Sequence, residues 1–229
     1  MSTVHCRSLV SAALAILAMS GNVPAQDKPT ALLNTLEVRQ LVARAEPEDN
    51  LRLSSHFAAL SNRYTAEAKR HVSMSQNFVG NPSRNLGTGL SAHCKRLADL
   101  NTESATTARE LAEYHENLAR GIPATPPPNA ALFHSGAGAP QPSDNELKAL
   151  AAKATTPSEH RALEEYFLML AKRYTADADQ HIALAQHYQG TRLASAAMLY
   201  ENLAGLAREE AKEATAAAEM HKQVAGLPR

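Results

Sequence analysis

Tryptophan is absent from this 229-residue chain, and the other large aromatics are scarce, with four phenylalanines and six tyrosines. A chain this poor in flat, bulky side chains and this rich in alanine packs thin, closely spaced helices more readily than sheets. Net charge is missing as well, since 23 basic residues balance 23 acidic ones. That balance excludes an electrostatic nucleic-acid binder and a polybasic membrane surface.

Cysteine is almost absent: there is Cys6 near the start and Cys94 in the interior. Only one long apolar run occurs, Leu9 to Met19, behind the basic Arg7 and ahead of Val23-Pro24-Ala25. This is the pattern of a signal peptide over residues 1–25, cleaved near Gln26, and it implies a periplasmic or secreted protein. The run is short for a bilayer span, so no stable membrane insertion is expected after cleavage. Removal of Cys6 leaves Cys94 alone, which excludes an internal disulfide and leaves burial, metal ligation or a disulfide-linked homodimer.

Motifs of several chemistries are also lacking. The sequence has no Glu-x-x-His pair for a carboxylate di-iron bundle and no Cys-x-x-Cys-His for c-type haem. Zincin, nucleophile-elbow and phosphate-loop signatures are likewise absent, so the expectation is a protein that is not an enzyme.

What the chain does have is a repeat. Arg63-Tyr64-Thr65-Ala66-Glu67-Ala68-Lys69-Arg70-His71 returns as Arg173-Tyr174-Thr175-Ala176-Asp177-Ala178-Asp179-Gln180-His181. Around the first copy, Asn50, Leu53, Phe57, Leu60, Tyr64, Glu67, His71, Met74 and Phe78 advance in steps of three and four, the period of a helix seam. His160, Leu163, Phe167, Leu170, Tyr174, Asp177, His181, Leu184 and Tyr188 repeat it. A second seam runs through Leu90, Cys94, Leu97, Asn101, Ser104, Ala108, Leu111 and His115, and parts of it recur up to His221.

Short helical patterns, Leu33 to Ala45 and Glu146 to Ala154, precede each copy, and glycine and proline near residues 80–88 mark the first turn. The expected architecture is therefore all-α. Residues 26–120 and 144–229 form two duplicated antiparallel helical hairpins, joined by a Pro/Gly/Ala-rich linker over residues 121–143. A lone hairpin leaves one apolar stripe wet, so the two should pack as a four-helix bundle.

Histidine on a seam is unusual, because burial disfavours its charged form and leaves ring nitrogens in need of partners. Counting from the hairpin turn places His71 level with His93 and Cys94, and Glu67 lies one helical turn before His71. Imidazole, thiolate and carboxylate together suit a Zn or Cu ion. His160 with His221 makes a weaker two-ligand level. His115 faces Asn50 in the first unit, and His181 repeats His71. The alternative is that these histidines form structural polar layers with Tyr64, Tyr174 and the carboxylates. His56, His134 and His187 are expected at the surface. Two functional readings follow: a binding or structural bundle whose seam histidines hold a metal, and a scaffold or adaptor that self-associates or binds another protein through its hairpin faces.

Overall fold

A computed structural model describes residues 32–79, 84–122, 143–189 and 193–226, with the side chains of 84–88 excepted. The expected signal segment, Cys6, His134 and most of the expected linker lie outside the described residues. All regular structure within them is helical: α1 Thr35–Arg44, α2 Pro47–Val79, α3 Arg84–Ala119, α4 Asp144–Lys153, α5 Pro157–Tyr188 and α6 Ala194–Gly226.

The helix starts are written locally. Asn34, Ser143 and Thr156 each accept a hydrogen bond from the backbone N–H three residues on, and Glu37, Glu146 and Glu159 return the favour to the cap backbone. Pro157 opens α5, where its missing N–H costs nothing. Bonds from the Thr155 and Thr156 backbone amides hold the Glu159 carboxyl down at about 2. The first turn is tighter than the sequence implies, because α3 begins at Arg84 and runs through Gly87 and Gly89. Glycine in a helix costs roughly 1 kcal/mol each. At Gly89 the missing Cβ is used, since Met220 of α6 occupies that space.

Helices α2 and α3 pack along their length, as do α5 and α6, so each repeat is an antiparallel hairpin. The hairpins join mainly through α3 and α6. Alanine makes that approach close: α6 buries Ala196, Ala197, Ala204, Ala207, Ala214, Ala217 and Ala218. The hairpins run head to tail. One core cluster joins Leu53, Phe57 and Leu60 near the start of α2 with Leu184, Tyr188, Ala196 and Tyr200 around the second turn. The other joins Met74, Phe78, Leu90 and Cys94 around the first turn with Leu163, Phe167 and Leu170 near the start of α5. A pseudo-twofold axis therefore passes through the middle of the bundle.

The short helices cover the α2–α5 side. Helix α4 touches both α2 and α5, and Arg70 of α2 bridges to Asp144 at its start. Helix α1 packs on α2 through Val38, Leu41 and Val42, while Thr35 hydrogen-bonds Gln180 of α5 at 2.8 Å.

At the pseudo-axis, α2 and α5 meet through charge. Arg173 donates to Glu67 Oε2, the Tyr174 hydroxyl donates to the same oxygen at 3.1 Å, and Arg63 donates to Oε1 at 3.2 Å. Burial alone would raise the Glu67 carboxyl, but Arg173 and Arg63 hold it below its usual range. A buried ion pair is most costly when one member is removed, because the other charge stays in a dry site. Arg173→Ala is therefore expected to lower the unfolding free energy by about 3 kcal/mol in urea titrations, and the double replacement Glu67→Met/Arg173→Met to recover most of that loss.

Candidate functional site

The central layer continues beyond the ion pair. Asn101 donates to the Tyr174 hydroxyl at 3.3 Å, and Ser104 donates to Glu210 Oε1 at 3.2 Å. Glu210 is fully buried. Desolvation, reinforced by the charge of Glu67, pushes its carboxyl well above the usual range. The pseudo-symmetric position of Glu210 is Ser104, and that of Glu67 is Asp177, one methylene shorter. The Tyr64 hydroxyl, counterpart of Tyr174, has no hydrogen-bond partner.

The residues expected to ligate a metal are dispersed. Glu67 is committed to Arg173, Arg63 and Tyr174. His93 leaves the seam and meets Glu213 of α6 at 2.7 Å, tying the two hairpins together. Cys94 is buried among apolar side chains, and desolvation raises its thiol far from the thiolate form. His71 is 1% exposed, and neither ring nitrogen has a hydrogen-bond partner. Among the described residues, no group of three or more His, Cys, Asp or Glu side chains is placed to hold a metal ion.

The remaining seam histidines form polar contacts within the two cores. His115 meets Asn50 at 2.9 Å, across the first hairpin as its register implies, and stacks on Phe57. His160 and His221 share a contact between their Nδ1 atoms at 3.1 Å, with His221 stacked on Phe167. Two such nitrogens can hydrogen-bond only when one is a donor and the other an acceptor, which keeps the pair from being doubly protonated. His181 stacks on Tyr200 with ring centroids 6.1 Å apart, and its Nδ1 has no hydrogen-bond partner. Of Tyr64 and Tyr174, the expected phenol partners of the histidines, Tyr174 bonds Glu67 and the Tyr64 hydroxyl bonds nothing.

One expectation is corrected. His56 is not a surface residue but 6% exposed, and desolvation lowers its imidazole to about 4. Its Nδ1 accepts the backbone N–H of Leu33 at 3.1 Å, so the segment leading into α1 covers it. His187 is exposed as expected.

His56 lines a cavity of about 260 Å³. Its roof is residues 32–35, its floor includes Leu60, and His56, Asp177, Gln180 and His181 line its sides. The pseudo-twofold makes this cavity comparable with its own counterpart. There, His56 is replaced by Tyr166, which is 2% exposed, and the Thr35–Gln180 tether is replaced by the Asp144–Arg70 ion pair. One end of the bundle thus carries a buried phenol and an ion pair. The other has a smaller imidazole, neutral tethers and empty volume. Sequence reasoning missed this seat because His56 lies one position off the seam; the signal was the His-for-Tyr exchange between the repeats.

No protein-family model, no curated protein and no solved structure matches the chain. Among the described residues, no helix is long and apolar enough to cross a membrane.

The buried titratable groups set opposite pH dependences. His71 is held at about 4, and His115, His181 and His221 at about 3, in each case first by desolvation. Their folded values lie below the unfolded value near 6.5, so the unfolded state binds more protons below that pH. Stability should therefore fall as pH drops from 6.5 towards 4, by up to about 1.4 kcal/mol per histidine per unit. Acid unfolding followed by circular dichroism should be steep in that window. Glu210 works in the other direction, since its raised value makes stability fall as pH rises from about 4.5. Glu210→Gln is expected to add roughly 2 kcal/mol at pH 8 and nearly nothing at pH 4, as read by urea midpoints at the two pH values.

Proposed function

We propose that this chain is an exported, non-enzymatic binding module whose ligand seat is the cavity between the start of α1 and the second half of α5. The observation that carries this reading is the asymmetry between the repeats. Duplication provides two equivalent positions, and one of them carries the buried Tyr166 and the Arg70–Asp144 pair. The other keeps about 260 Å³ with His56, His181, Asp177, Gln180 and Thr35 around it.

The size and lining indicate a class of ligand. Drug-sized ligands occupy roughly 300–1,000 Å³, so this seat suits a smaller molecule. Leu32, Leu33 and Leu60 offer apolar contact, while Thr35, His56, Asp177 and Gln180 bring polar side chains to the wall. A compact organic molecule with an apolar body and one or two hydrogen-bonding groups fits. The ligating side chains are too dispersed for the metal-holding version of the same idea.

A screen of small-molecule fragments by protein-observed NMR tests the proposal. Binders should shift the amides of Leu33, Thr35, Ala176 and His181 and raise the melting temperature in proportion to ln(1 + [L]/Kd). Ala176 is exposed at the cavity rim, so Ala176→Trp should block the seat without disturbing the core. It is expected to weaken any such ligand by at least about tenfold. Fragments that bind elsewhere, or equally well to the Trp variant, would return the protein to the scaffold reading.

A further inference from the structure

We infer that residues 32–35 form a proton-released strap over the cavity, with His56 as its latch. The inference depends on how the roof is attached and goes beyond what the cavity binds. Helix α1 is anchored firmly by Val38, Leu41 and Val42, all 4% exposed or less. The segment before it is held differently. Leu32 and Leu33 are only partly buried, and two hydrogen bonds reach from residues 32–35 to the hairpins: Leu33 N–H to His56 Nδ1 and Thr35 Oγ1 to Gln180 Oε1. The Asn34–Glu37 capping box ties these residues to α1 and not to the hairpins, so they can lift with the first turn of α1 while Leu41 and Val42 stay docked.

The first tether is conditional. An imidazole nitrogen accepts a hydrogen bond only when it carries no proton, so protonation at Nδ1 turns acceptor into donor and sets two N–H groups against each other. Protonation of the covered ring is also opposed by desolvation, and lifting the strap lets water reach it. Closed and protonated are therefore mutually exclusive states of one side chain.

The groups facing His56 set the range. Glu37 of α1 favours the protonated ring. His115 of α3 and His181 of α5 are neutral neighbours whose own protonation it opposes. Asp177 of α5 lines the same cavity, and Tyr200 of α6 lies behind His181 as a neutral phenol. With a covered value of about 4 against an open value near 6.5, full protonation shifts the closed-to-open ratio by up to about 300-fold. The opposite end of the bundle lacks the device, because Tyr166 stands where His56 does and the Arg70–Asp144 pair replaces the neutral Thr35–Gln180 bond.

The decisive measurement is amide hydrogen exchange at Leu33 by NMR on the protein from residue 26 onward. Exchange is corrected for its intrinsic pH dependence and compared between pH 7 and the lowest pH at which Val42 and Leu53, whose amides bond outside the strap, keep their protection. Wild type is expected to lose protection at Leu33 by about tenfold or more relative to Val42. His56→Asn supplies an acceptor that does not titrate, and Leu33 should then stay protected at both pH values. Equal loss in wild type and variant, or no loss in either, overturns the strap. Should His56→Asn fail to fold, Thr35→Val replaces it: with one tether gone, release should move to higher pH, and an unchanged release pH overturns the inference. Neither readout uses a ligand, so the strap and the binding proposal fail separately.

Discussion

Glu67 and Arg173 meet where the two hairpins cross, and the rest of the bundle is arranged around the need to keep that pair together. The seam between α3 and α6 is lined by alanines, and such a surface has little to prevent a slide by one turn, because every register buries similar small side chains. A buried charge pair does discriminate: a shift of one helical turn, about 5.4 Å, would strand a carboxylate and a guanidinium in a dry interior. Tyr174 and Asn101 extend the same network across the layer. The polar centre thus fixes register, and the two apolar cores on either side of it supply the burial.

From that centre outward, the pseudo-twofold lets each side chain be compared with a partner from the same ancestral position. The comparison shows drift under different constraints. At the centre, Glu67 and Asp177 differ by one methylene, and the longer one captures Arg173 and Tyr174 while Tyr64 is left without a bond. Further out, Asn50 facing His115 corresponds to His160 facing His221, two solutions to the same need for a donor and an acceptor between neighbouring helices. At the flank, a cavity-lining His56 stands against a buried Tyr166. One position is a packing choice; the other has the features of a site.

The helices and their pairing were legible in the sequence because period and repeat are local properties. Every seam residue read from the three-and-four spacing of α2 and α5 is buried, though the spacing passed over His56, Tyr166 and Arg173, and Asn50 was matched with His115 by counting alone. Contacts between hairpins were not legible. Counting from a turn aligns only the arms of one hairpin, so His71 was placed with His93 and Cys94, while His93 points to Glu213 of the other hairpin. The metal reading relied on Glu67 as a free carboxylate, and nothing in the spacing shows that Arg173 takes it. His56 was set aside because it lies beside the seam, yet α1 folds over that face of α2 and buries it.

Burial of so many histidines needs an explanation beyond packing, since leucine would fill most of these positions at lower desolvation cost. Polar layers give register, but the Glu67–Arg173 pair already supplies register at the centre. What neutral buried imidazoles add is a folded state that weakens on acidification, and the placement of His56 makes that weakening local before it is global. Its ring is linked to a partly buried segment at the edge, whereas His71, His115 and His221 sit deep within the bundle. Local release at the strap breaks two hydrogen bonds to the hairpins; global release must break both cores. Falling pH should therefore act first on the roof of the cavity, and the same residue type serves as latch at the edge and as stabilising layer within.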